Sequence, residues 1–208
     1  MSGLHVFRGE TSIPYESSLE RDYLIRLDFL PGVLDVIPQP VAIEFKTPQG
    51  RSFAYTPDYL VYFRLGDLNY LDYPKPLLVE VKPQSEWRSH WREWLPKWKA
   101  AYRYALEQGW QFRIMDESRI RDLALENIQF LSRYRRMQFA PEDCMQVLET
   151  LRRAESTTID YLLGRHFVGP WRAEGIALVW HLIAMHRIDC DISRPLNDAT
   201  EVWIGEHG

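Results

Sequence analysis

Asp58, Glu80 and Lys82 are the residues whose types and order suggest chemistry. They fall in Pro57-Asp58 and in Glu80-Val81-Lys82, where Leu77–Val81 is a short apolar run. In an extended strand alternate side chains share a face, so Glu80 and Lys82 point one way and Val81 the other. With Asp58 on an adjacent strand, two carboxylates and one ammonium can converge on one sheet face. Such a group is costly without water, mutual pairing or a cation. A divalent ion makes sense of it, because Mg²⁺ takes hard oxygen ligands, commonly one or two carboxylates plus phosphate. The Val81 carbonyl can add a ligand, and Lys82 can orient an attacking water or offset charge building on a phosphate. A structural ion pair at a sheet edge is the plain alternative. Glu20 is a further acidic candidate with two readings. Ser17-x-x-Glu20 is a capping box, in which Glu20 reaches back to the helix start, and the same carboxylate can be another metal ligand.

These side chains need a sheet and flanking helices to bring them together. Residues 17–30 carry apolar positions at helical spacing and stop at Pro31-Gly32. Residues 33–37 and 41–46 read as strands, the second turning through 47–50 into an extended segment over 52–63. Residues 66–76 form a loop, and Leu77–Val81 is a buried strand. A long helix is expected over 86–108, with Pro96 kinking or splitting it, and then a strand at Gln111–Met115. The first ten residues read as a flexible lead-in. This order gives an α/β fold, a mixed sheet flanked by helices. A further helix is expected at 119–136 and a domain boundary near 139–141, dividing the chain into 1–138 and 139–208. The second part reads as helices at 142–153, 157–165 and 171–186, then strands at 188–192 and Glu201–Ile204, which is the outline of a winged helix.

Composition narrows the class. The chain has 208 residues, 46% apolar and 13% aromatic, which excludes intrinsic disorder. No apolar stretch is long enough to span a membrane, no signal peptide is visible, and the cytoplasm is the default compartment. Cys144 and Cys190 cannot build a disulfide framework or a four-ligand zinc site. Phosphate-loop, nucleophile-elbow and dinucleotide-binding signatures are missing from the sequence. The net charge of −4 means that action on DNA needs local basic patches or a partner. Candidate phosphate contacts are Lys97 or Lys99 and the run Arg133, Arg135, Arg136, with solvated faces the alternative for each. Gln84 can help position water. Trp87, Trp91, Trp94 and Trp98 form a helical stripe that suits core packing, with a DNA-stacking or partner surface the alternative.

The segments Ser17 to Asp22, Gln39-Pro40, Tyr55 to Leu60 and Val79 to Pro83 resemble the PD-(D/E)XK nuclease superfamily. More narrowly, they are similar to TnsA, the endonuclease subunits of heteromeric transposases. The resemblance implies a restriction-endonuclease-like fold followed by a small winged-helix-like domain for partner or DNA contact. It implies two Mg²⁺ ions, with Mn²⁺ as substitute, ligated by Glu20, Asp58 and Glu80, and Lys82 as the catalytic lysine. Some members carry Gln at the position of Glu80. The implied task is cleavage of the 5′ ends of a transposon in double-stranded DNA. A DDE-type transposase handling the 3′ ends and an AAA+ ATPase regulator are the implied partners. A stand-alone nuclease of restriction or resolvase type, and an inert DNA-binding adaptor, are the alternatives.

Overall fold

A computed structural model of the chain describes residues 2–47, 49–66 and 72–205. The chain forms two compact units, Met1–Ile120 and Arg121–Gly208.

The first unit opens with an antiparallel hairpin of β1 (Gly3–Phe7) and β2 (Thr11–Tyr15). The expected lead-in is therefore ordered structure. Its pattern was weak because Leu4 and Val6 face solvent while Phe7 and Ile13 are buried in the core and Tyr15 packs against it. The connection turns through Arg8 and Gly9, both with positive φ, and the Arg8 N–H is held by Asp28 Oδ1 at 2.7 Å. Helix α1 (Ser18–Phe29) follows and buries Leu19, Tyr23, Leu24 and Leu27.

Next come β3 (Val33–Pro38), β4 (Ile43–Lys46), β5 (Ser52–Tyr55), β6 (Tyr59–Phe63) and β7 (Leu77–Val81). Helix α2 (Gln84–Glu107), β8 (Gln111–Met115) and the short α3 (Glu117–Ile120) complete the unit. The main sheet has the order β3-β6-β7-β8. Its first two pairings are antiparallel, and β7 with β8 is parallel. A parallel pair needs a long crossover, and α2 supplies it. The segment 52–63, read as one extended stretch, is two strands. Strand β5 pairs with β4 in a separate hairpin and β6 joins the main sheet, so Thr56-Pro57-Asp58 becomes the corner between them.

Strand alternation sorts the side chains onto two cores. Tyr59, Val61, Val79 and Val81 pack with Tyr23, Leu24 and Leu27 of α1. Leu60 and Leu78 pack with Trp98, Ala101 and Ala105 of α2 and with Ile43 and Tyr55 of the β4–β5 hairpin. Glu80, in step with Leu78, belongs to the α2 side. Helix α2 is a single helix through Pro96, neither interrupted nor divided. Half-buried Pro96 lines an open cavity, and Trp98, Ala101 and Ala105 anchor the helix beyond it. The tryptophan stripe is core only in part, because Trp98 is buried while Trp91 is exposed.

The second unit contains α4 (Leu123–Leu131), α5 (Pro141–Ala154), β9 (Ser156–Thr158) and α6 (Ile159–His166). A 3₁₀ turn (Gly169–Trp171), α7 (Arg172–Ala184), β10 (Ile188–Cys190) and β11 (Glu201–Ile204) follow. The strands form an antiparallel sheet ordered β10-β11-β9. The single helix expected at 119–136 is α3 and α4, because Asp122 caps a new start by accepting from the Leu125 N–H. The helix expected at 157–165 begins instead as β9, whose polar Ser-Thr-Thr sequence gave no strand signal. The loop at 138–140 lies within this unit, ahead of α5. No helix among the described residues is long and apolar enough to cross a membrane.

Candidate active site

The candidate residues sit where α1 starts, β6 starts and β7 ends. Asp58 occupies the corner before β6 and is fixed from both sides. Its Oδ2 accepts the Val81 N–H at 2.7 Å, and its carbonyl accepts the Gln39 N–H at 2.8 Å. Gln39 has a φ of 45°, a left-handed conformation that costs a non-glycine residue energy and is typical of places where a function fixes the backbone. Pro57 restricts the residue before it to extended backbone, which turns the corner and aims Asp58 at the end of β7.

Glu80 is 2% exposed. Its Oε2 accepts from the Tyr55 hydroxyl at 2.5 Å, and its Oε1 accepts from Lys97 Nζ at 3.2 Å. Lys82 Nζ stands 3.9 Å from the same Oε1. A buried carboxylate needs pairing and hydrogen bonds, and Glu80 has two ammonium groups and one phenol. Glu80 and Lys82 thus share a face, as strand alternation requires.

Glu20 forms its cap. The Ser17 hydroxyl accepts from the Glu20 N–H at 3.1 Å and donates to Glu20 Oε1 at 2.9 Å. Oε2 accepts the Glu16 N–H at 2.8 Å, one residue ahead of the usual capping-box donor. The Tyr59 hydroxyl lies 3.4 Å from that oxygen, which ties the cap to the sheet.

The electrostatics register this crowding. Burial pushes the Asp58 carboxyl up to about 7, and the negative charges of Glu80 and Glu20 push the same way, against the Val81 N–H and the Lys82 ammonium. Burial and Glu80 raise the Tyr55 hydroxyl, so it stays a proton donor. Burial and then Glu20 raise Tyr59 likewise. Negative charge is therefore incompletely balanced around Asp58, and the donors are hard oxygens, a set that suits a small divalent cation. Among the described residues no three acidic, His or Cys side chains form a ready-made metal cluster, and the oxygens of Glu20 and Glu80 are engaged by cap, phenol and ammonium.

The remaining candidates fall in different places. Gln84 is the first residue of α2 and its N–H donates to Glu117 Oε2 at 2.8 Å, beside the site rather than within the carboxylate group. Lys97 is turned inward onto Glu80, with its ammonium 4.8 Å from the Tyr55 ring centroid and 4.7 Å from that of Trp94. Arg133, Arg135 and Arg136 are exposed just after α4 in the second unit, with Arg133 over the Phe130 ring. Sequence reasoning missed the roles of Tyr55, Tyr59 and Lys97 at the site. The available signal was their position: Tyr55 precedes the Thr-Pro-Asp corner, and Lys97 lies between Trp94 and Trp98 on the helix that crosses over β7.

A mixed sheet with a parallel crossover, carrying acidic residues and a lysine at the adjoining ends of two neighbouring strands, defines a restriction-endonuclease-like protein. Residues 30–117 match the family model "TnsA-like endonuclease N terminal", and residues 119–192 match "TnsA endonuclease C terminal". The chain belongs to the TnsA-like endonuclease family and is a transposase endonuclease subunit. Asp58, Glu80 and Lys82 lie inside the first match, whereas Glu20 precedes it. No curated protein matches the chain.

Proposed function

We propose that this chain is a Mg²⁺-dependent DNA endonuclease that cleaves the 5′ ends of a transposon. In this reading it works beside a DDE-type transposase that acts on the 3′ ends, under an AAA+ ATPase regulator. The observation that carries the hydrolytic reading is Asp58, a raised carboxyl pinned by the Val81 N–H between Glu80 and Glu20 with Lys82 alongside. Asp58, Glu80, Glu20 and the Val81 carbonyl are the oxygens that would hold divalent ions, two per site. Bound there, the ions would supply the positive charge and Lewis acidity that phosphodiester hydrolysis needs.

The protein's own groups divide the remaining work. Lys82 faces the reacting phosphate and offsets its developing charge. Lys97 and Tyr55 hold Glu80 in one orientation. Water attacks in line and leaves a 5′ phosphate and a 3′ hydroxyl. The second unit, whose helix α4 is followed by the order helix, strand, helix, helix, strand, strand, is winged-helix-like and serves partner or DNA contact through surfaces such as Arg133, Arg135 and Arg136. The test is 5′ nicking of transposon-end DNA with Mg²⁺ and the transposase. Cleavage should vanish in EDTA, return with Mg²⁺ or Mn²⁺, and vanish in Asp58→Ala and Lys82→Ala. Undiminished cleavage by either variant overturns the assignment, and full activity without the transposase identifies a stand-alone nuclease instead.

A further inference from the structure

A second feature of the first unit lies between the β4–β5 hairpin and the outer side of α2. It is an open groove of about 600 Å³ whose wall carries Lys46, Arg92, Lys99 and Arg103 together with Tyr102 and Pro96. No Asp or Glu lines it. Arg92, Lys99 and Arg103 are spaced seven and four residues apart and so stack along one stripe of α2. Like charges one turn apart destabilise a helix, and none of these four cations makes an ion pair among the described residues. In a chain of net charge −4, this is an uncompensated concentration of positive charge in a concave setting.

We infer that this groove binds the phosphodiester backbone of duplex DNA away from the scissile phosphate, an inference that rests on the nuclease reading above. A row of cations with little acidic relief fits a polyanion with regularly spaced charges. Tyr102, 54% exposed, offers a face and a hydroxyl to a sugar edge. Phosphate contacts of this kind set position and affinity without reading sequence. The groove thereby supplies the local basic patch that the acidic composition demands.

The test is fluorescence anisotropy of the full chain in EDTA, so that no cleavage occurs, on a transposon-end duplex and a scrambled duplex across a salt series. Replacing Arg92, Lys99 or Arg103 singly by Gln should weaken binding to both duplexes alike and reduce the slope of log K against log salt by about 1 each. The triple variant should lose about 3 and bind more than tenfold more weakly at low salt. An unchanged slope in the triple variant overturns the inference, as does a wild-type chain that fails to bind at low salt. Normal DNA binding with lost capture of the transposase also overturns it and assigns the groove to an acidic protein surface. Cleavage by the same proteins in Mg²⁺ with the transposase added separates the two readings. A changed slope with no wild-type cleavage sinks the nuclease alone, and cleavage with an unchanged slope sinks the groove alone.

Independently, the geometry points to Lys97 and Tyr55 as positioning residues that act through Glu80. Lys97 is 3.2 Å from Glu80 Oε1 and has three aromatic rings, Tyr55, Trp94 and Trp98, within 5.8 Å. This aromatic enclosure fixes the ammonium against a carboxylate that is itself 2% exposed. Removing the cation alone leaves a buried charge short of its nearest ammonium group. Lys97→Met should therefore lower both the melting temperature and the cleavage rate, the latter more than tenfold. Glu80→Gln combined with Lys97→Met should recover most of the melting-temperature loss and cleave no more slowly than Glu80→Gln alone, because Lys97 acts only through Glu80. Additive losses in the two readouts overturn the assignment. A single variant that does not fold beside a double variant that does supports it.

Discussion

The two units bury different things. In the first, Glu20, Asp22, Glu80 and Asp116 are all buried, whereas the only buried polar side chain described in the second is Asn127. Asn127 is neutral and donates to the carbonyls of Ile192 and Arg194 at 2.9 and 2.7 Å, so it serves the fold. The buried carboxylates of the first unit cost desolvation that packing alone does not require. The second unit keeps its charges outside, as in Arg172, which bridges Asp160 and Asp198 at 2.7 Å each on the surface. A region that retains costly buried charge is organised for chemistry, and one with an apolar core and a charged surface is organised for shape and contact.

The largest expected effects break this contrast at its centre. Asp58→Ala and Lys82→Ala should each lower cleavage by roughly 10³-fold while the circular dichroism spectrum is preserved. A comparable loss from removing an exposed cation of the second unit, measured with partners present, would erase the distinction between the units.

The pH dependence of stability sharpens it. The folded chain holds the Asp58 proton up to about 7, against 3.8 for an ordinary Asp. Below 3.8 both folded and unfolded chains are protonated and Asp58 carries no penalty. Between 3.8 and 7 only the unfolded chain ionises, so stability falls as pH rises, and above 7 the loss is complete. Asp58→Asn should therefore stabilise the metal-free protein at pH 8 by on the order of 3 kcal/mol and leave it unchanged near pH 3.5, as read by denaturant melts in EDTA. Mg²⁺ should stabilise the wild type at pH 8 and the Asn variant far less.

Packing should dominate in the second unit. A Cβ at Gly175, inside α7, would lie 2.3 Å from Phe167 Cγ, so Gly175→Ala overpacks the core. It should cost about 2 kcal/mol despite improving helix propensity, visible as a lower denaturation midpoint. Equal stability would show that Phe167 can move aside. The smallest effect belongs to Arg172→Ala. Its ion pairs are solvent-exposed, where such bridges contribute little, and thermal melts should barely change.

The relation of sequence to structure follows the same division. Leu77–Val81 and α1 were legible because a buried strand reads as an apolar run and an amphipathic helix carries a period, and those two elements carry Glu80 and Glu20. The β1–β2 hairpin was not, because its apolar Leu4 and Val6 face solvent, and β9 and the break between α3 and α4 were not, because their strand and cap signals are short and polar.

The local pattern alone determined that Glu80 and Lys82 share a face, that Ser17 and Glu20 close a helix start, and that Asp58 follows a proline corner. These depend on neighbours a few residues apart, whose geometry the backbone dictates. Only tertiary structure decided that Lys97 reaches Glu80, that Tyr55 donates to it, and that Lys46 meets Arg92 and Arg103 across a groove. Those meetings depend on the β7–α2–β8 crossover and on how the β4–β5 hairpin packs on α2, contacts between distant segments that no local periodicity encodes.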